Sequence, residues 1–173
     1  MLARGRYALK EWGSVCQGLG RGDHILLLRK GGIEDARAGF QLEHREFFLF
    51  PTRVHEEGGA PPEEVALAFF ARVAGEFGVE NLERLRRLRG QHGLPEDQAE
   101  KRFHYGRHPG LRAFALRVYA LSHPHRVEQA RRFDGCRSWV ELDEDLAEAL
   151  SGPVLDDAAF VERLEALRAM AHG

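Results

Sequence analysis

The sequence predicts an α+β domain built on a curved, mostly antiparallel sheet or small barrel, with helices at its periphery. Three observations carry that prediction. Short apolar runs bounded by Gly or Pro occur at 23–30, 39–50, 112–121 and 136–142, with the length and punctuation of strands. Stretches at 63–77 and 156–167 place apolar residues at helical spacing. A chain of 173 residues, 43% hydrophobic and 30% charged, has the size and composition of one domain. We read it as a single domain over 1–173, with an acidic helical extension over 143–173 packed on it.

The first predicted element is a helix over 7–19, from the stripe Ala8, Trp12, Val15 and Leu19, ended by Gly20 and Gly22. A buried strand follows from Asp23 to Lys30, then a Gly31-Gly32 turn and a polar loop over 33–38. Over 39–50, alternation puts Phe40, Leu42, His44, Glu46, Phe48 and Phe50 on one face, and Pro51 should end that strand or hold it at an edge. The Gly/Pro-rich stretch 54–62 is a connector. Val65, Phe69, Phe70 and Val73 predict an acidic-started helix over 63–77, and Asn81 caps a further short helix carrying four arginines. Pro95 sits in the first turn of another short helix before Lys101. The strands 112–121 and 136–142 flank a His123-Pro124-His125 turn, and an amphipathic helix runs from Asp156 through Leu167.

Composition removes several function classes. No apolar stretch nears the roughly 18 residues that a spanning helix needs, and Arg4, Arg6 and Lys10 interrupt any secretory signal, so a cytoplasmic protein with no membrane partner is expected. Cys16 and Cys136 lack CxxC spacing, which excludes a zinc ribbon and suits small buried residues. The glycines match no dinucleotide or phosphate-loop fingerprint, and the serines lack a nucleophile elbow. No cofactor and no metal are therefore expected, and no catalytic residue can be named.

Charge is segregated along the chain. The net charge of −2 hides +3 over 1–55 and +7 over 101–140, against −5 over 56–100 and −7 over 141–173. Positive strands beside negative helices suit either a basic face for phosphate or internal pairing of the two sets.

Charged residues inside apolar runs mark the candidate site, since burying a polar group bare costs roughly 2–7 kcal/mol. Lys10, Arg29, Lys30, His44, Arg45 and Arg117 are the residue types that hold phosphates, with Glu11, Trp12, Glu46 and Trp139 in support. A structural role for Arg29 or Arg117 would require an internal acid such as Glu11 or Glu46. His44 and Glu46, two apart on a strand, share a face, as a hydrogen-bonded pair would need.

Several ordered motifs resemble a known family. Ala8-Leu9-Lys10-Glu11-Trp12, then Leu27 to Ile33, Phe40 to His44 leading into Phe47 to Thr52, Leu116 to Tyr119 and Cys136 to Leu142 are similar to the bacterial family DUF1802, a domain of unknown function. The resemblance spans about 7–142. It implies a soluble bacterial or archaeal protein, with a suggested link to restriction-modification or other DNA-handling genes, and supplies no catalytic residues.

By fold analogy, the element order looks like the PUA-like and ASCH-like barrels, which bind RNA or modified bases. Lys10, Glu11, Trp12, Arg29, Lys30, His44 and Arg45 would then gather near one barrel mouth. The expected function is nucleic-acid binding or DNA/RNA processing. The alternatives are a metal-dependent phosphodiesterase or nuclease on an α/β core, and a protein-interaction module using the acidic C-terminal region.

Overall fold

The computed structural model describes residues 1–30, 40–52, 63–106, 109–128, 130–133 and 137–172. Among these residues, six strands and four α-helices follow in the order β1 (Leu2–Trp12), α1 (Gly13–Arg21), β2 (Leu26–Arg29), β3 (Glu46–Thr52), β4 (Val65–Val79), α2 (Leu82–Arg87), α3 (Glu96–His104), β5 (Leu111–Val127), β6 (Trp139–Pro153) and α4 (Asp157–His172). A 3₁₀ turn, Ala130–Phe133, precedes β6. The strand order is β2-β5-β4-β3-β1-β6, and a further β5–β6 pairing closes the last five strands into a barrel. Among the described strand pairs only β1–β3 is parallel, so the mostly antiparallel curved sheet, the small barrel and the peripheral helices are as the sequence predicts.

Closure depends on the length of β5. Its first residues, Arg112 to Ala115, pair with β2, whereas Tyr119 to Leu121 pair with β6. One long strand thus holds β2 outside the barrel and seals the barrel further along. Two cores result. All five barrel strands contribute to the inner one, which includes Ala8, Phe48, Phe50, Leu67, Phe70, Leu121 and Val140. The outer one packs β2 and all four α-helices on the barrel wall, through residues such as Leu19, Leu27, Leu85, Phe103 and Leu164. Adjacent residues of a strand therefore both find burial: Phe48 faces inward and Leu49 outward.

That two-sided burial explains where the predicted elements differ. The expected helix over 7–19 is half strand, because Ala8 and Leu9 each enter a different core while β1 pairs with β3 and β6; only Gly13–Arg21 is helical. The expected helix over 63–77 is the strand β4. Register shifts between Leu67 and Phe69 and between Val73 and Gly75 move the apolar phase along β4, which imitates helical spacing. The expected His123-Pro124-His125 turn lies within β5, and Pro124 falls in the stretch between Ala120 and His125 that skips its β4 register. The short strand at 136–142 and the helical extension over 143–173 are redrawn: 143–153 continues β6, and the helix begins at Asp157. The strand foreseen over 39–50 starts at Glu46, with 40–45 irregular.

Other readings hold. The Asn81 side chain accepts the Arg84 backbone N–H at 2.8 Å, capping α2, and Pro95 immediately precedes α3, which runs past Lys101 to His104. The Gly31-Gly32 turn, the 33–38 loop, the 54–62 connector and Cys136 lie outside the described residues.

Candidate functional site

The centre of the site is a buried carboxylate. Glu11 is one residue from the end of β1, on the outer face of the barrel with Leu9, and its side chain is 1% exposed. Arg29, at the end of β2, donates from Nη1 to Glu11 Oε2 at 3.0 Å and to the Lys10 carbonyl at 3.0 Å, and from Nη2 to Ser138 Oγ at 2.7 Å. Arg102, from α3, donates from Nη2 to Glu11 Oε1 at 3.0 Å and from Nη1 to the Leu28 carbonyl at 3.2 Å. The Trp12 N–H adds a third partner at 2.9 Å. Burial pushes the Glu11 carboxyl up, but Arg102, then Arg29, and the hydrogen bonds from Arg102 and Trp12 hold it below its ordinary value.

Aromatic rings extend this cluster toward solvent. Arg29 lies 5.0 Å over the Phe40 ring and Arg102 4.9 Å over Trp12. Phe40 stacks on Trp139 at 6.0 Å, and Trp139 meets the edge of His44 at 5.0 Å. His44 stacks on Tyr7 with ring centres 3.5 Å apart and planes 9° from parallel. Tyr7, His44 and Trp139 are all half-buried, so the outer end of this row reaches the surface. Trp139 Nε1 donates to the Gln41 carbonyl at 3.1 Å, fixing the 40–45 segment over β6.

The predicted residues therefore divide. Glu11, Trp12, Arg29, His44 and Trp139 belong to one contiguous set. Lys10 bonds the Phe133 carbonyl. Lys30 donates to the carbonyls of Phe103 at 3.0 Å and Gly110 at 2.8 Å, closing the end of α3 against the start of β5, and its burial lowers its pKa. Arg45 is exposed beside His44 and has no ion pair among the described residues. Glu46 pairs with Arg72 at 3.0 Å. Arg117 stands apart, donating to Asp157 Oδ1 at 2.6 Å and to the Asp156 carbonyl at 3.1 Å, with its guanidinium 4.6 Å over Phe160. Arg29 finds the internal acid that a structural role requires in Glu11, whereas the acid that meets Arg117, Asp157, is exposed.

Internal pairing also absorbs much of the segregated charge. Arg112 pairs with Glu76 and Arg126 with Glu64 across β4–β5, and Arg132 pairs with Asp143. The four arginines at 84–89 each pair with a glutamate. Arg102 and Tyr7 escaped the sequence reading. Arg102 is 91 residues from Glu11 in the chain, and nothing local marks it; Tyr7 opens the helix expected over 7–19, where its ring carries no site signal. Among the described residues, no three His, Cys, Asp or Glu side chains gather to hold a metal, and no helix is long and apolar enough to cross a membrane. Cys16 is buried, and its thiol pKa is pushed up by burial.

A five-strand closed barrel with one outer strand and flanking helices is the fold of the PUA-like barrels. Solved structures agree. The chain is similar to the ASCH protein of Zymomonas mobilis at 14% identity and TM-score 0.51, covering 93% of this chain and 94% of that one. A serine-to-alanine variant of that protein matches at 14% identity and TM-score 0.53, covering 96% and 99%. A tyrosine-to-phenylalanine variant matches at 15% and 0.53, covering 80% and 90%. No curated protein matches in sequence. The chain belongs to the DUF1802 family, a domain of unknown function whose profile matches residues 8–60 and 56–166. The match thus extends into α4, beyond the 7–142 span of the motifs.

Proposed function

We propose that this domain binds unpaired nucleic acid on the shelf formed by Tyr7, His44 and Trp139, with Arg45 beside it to meet phosphate. The observation that carries this reading is the near-parallel Tyr7–His44 stack, half-buried and edge-on to Trp139. Stacked rings at a surface offer a face to a splayed base, a contact worth roughly 1–3 kcal/mol per base. The PUA-like architecture supports the reading by analogy, since barrels of that group bind RNA or modified bases. Arg29 and Arg102 contribute indirectly: tied to Glu11, they fix the rings on which the shelf rests.

Anisotropy titration of labelled single-stranded RNA, single-stranded DNA and duplex, at 50 and 200 mM salt, tests the proposal. Single strands should bind in preference to duplex. His44→Ala should weaken binding by roughly 5- to 100-fold, and Arg45→Ala should reduce the salt slope by about one. Binding that ignores both substitutions would refute the shelf.

A further inference from the structure

His24 and His92 form a buried pair outside the shelf. His24 follows α1, and its ring is enclosed by two glycines. A Cβ on Gly18 would collide with its Cε1, and one on Gly93 would stand 2.5 Å from Cε1 and 2.8 Å from Nε2. Its buried Nε2 has no hydrogen-bond partner among the described residues. His92, also buried, bridges to Leu26 of β2 and accepts the Leu94 N–H on Nδ1 at 3.3 Å. His92 and Gly93 belong to the arm between β4 and β5 that contains α2 and α3, and α3 brings Arg102 to Glu11.

We propose that the His24–His92 pair is an acid-sensitive latch that holds the α2–α3 arm on the barrel and releases it on protonation while the barrel stays folded. The closed arrangement needs neutral rings. Asp23 and Glu96 favour a proton on His24 and His92 respectively, but Arg21 and Arg163 oppose it at His24 and Arg102 opposes it at His92. Burial and then the neighbouring His92 push His24 down to about 4; burial and then Arg102 lower His92. An imidazole freed by opening returns to about 6.5. The folded value is depressed, so the open arm takes up protons first, and attachment weakens as pH falls below 6.5. For His24 alone, the open fraction rises roughly 50- to 100-fold between pH 7 and 4.5.

Amide hydrogen exchange on the full chain, corrected for intrinsic rates, reads this directly. Protection of the α3 amides of residues 99–103 should drop by at least that factor between pH 7 and 4.5, while β3 and β4 amides keep theirs. In the His24→Asn, His92→Asn double variant, α3 protection should not depend on pH. The latch is overturned if α3 protection is constant in the native chain, if barrel amides lose protection in step with it, or if the drop survives in the variant. Should the variant not fold, the contrast between α3 and barrel amides in the native chain decides alone.

Discussion

Replacing Glu11 by glutamine removes the single negative charge held between two guanidiniums. Arg29 and Arg102 have side chains only 12% and 21% exposed, so neither can turn fully into water once its partner is neutral. Breaking a buried ion pair from one side costs about 3–5 kcal/mol, because the remaining charge stays desolvated. Against a total of roughly 5–15 kcal/mol for a domain, that is a large share. In a chain of this length, it lowers Tm by roughly 6–20 °C. Urea unfolding of the native and Glu11→Gln proteins gives the difference directly. Its pH dependence has a fixed sign: the folded Glu11 carboxyl lies below its ordinary 4.5, so its contribution is complete above 4.5 and disappears as pH falls through the lower folded value. The stability gap should therefore be flat from pH 8 to 5 and shrink toward pH 3. A gap under about 1 kcal/mol at pH 7, or one that widens on acidification, would refute the account. Replacing Glu11, Arg29 and Arg102 together by methionine should recover most of the loss, because no charge is then stranded.

Gly18→Ala should destabilise the fold by roughly 1–3 kcal/mol in chemical denaturation, even though alanine is the better helix former, because the added methyl group meets the His24 ring. Arg117→Ala should cost roughly 1–3 kcal/mol through lost packing on Phe160, whereas Asp157→Ala should change Tm little, since the Asp157 side chain is 98% exposed and its pull on Arg117 is screened. Equal losses from the two substitutions would show that the ion pair, rather than the buried stem, holds Arg117.

The sequence was most legible where one short stretch carries the whole signal. Asn81 announces its cap and Pro95 the start of α3, while the motifs around Glu11, Leu28 and Trp139 give the family. The aromatic and cationic types at 10–12, 29–30, 44–46 and 139 marked most of the site. The strand core at 112–121 was legible within β5, but β4 was harder, because it buries both faces and carries register shifts, so its apolar residues show no clean alternation.

By itself, the sequence determined an α+β barrel-like fold, its family, and the residue types that concentrate at the site, because propensity, turn residues and local patterning act over a few positions. Only the tertiary structure decided which charges meet. Arg102 reaches Glu11 across 91 residues, Asp157 takes Arg117, Glu46 turns to Arg72, and His44 lies on Tyr7. An ion pair or ring stack is fixed by distance in space, and the closure of β5 onto β6 sets those distances with no trace in the local pattern.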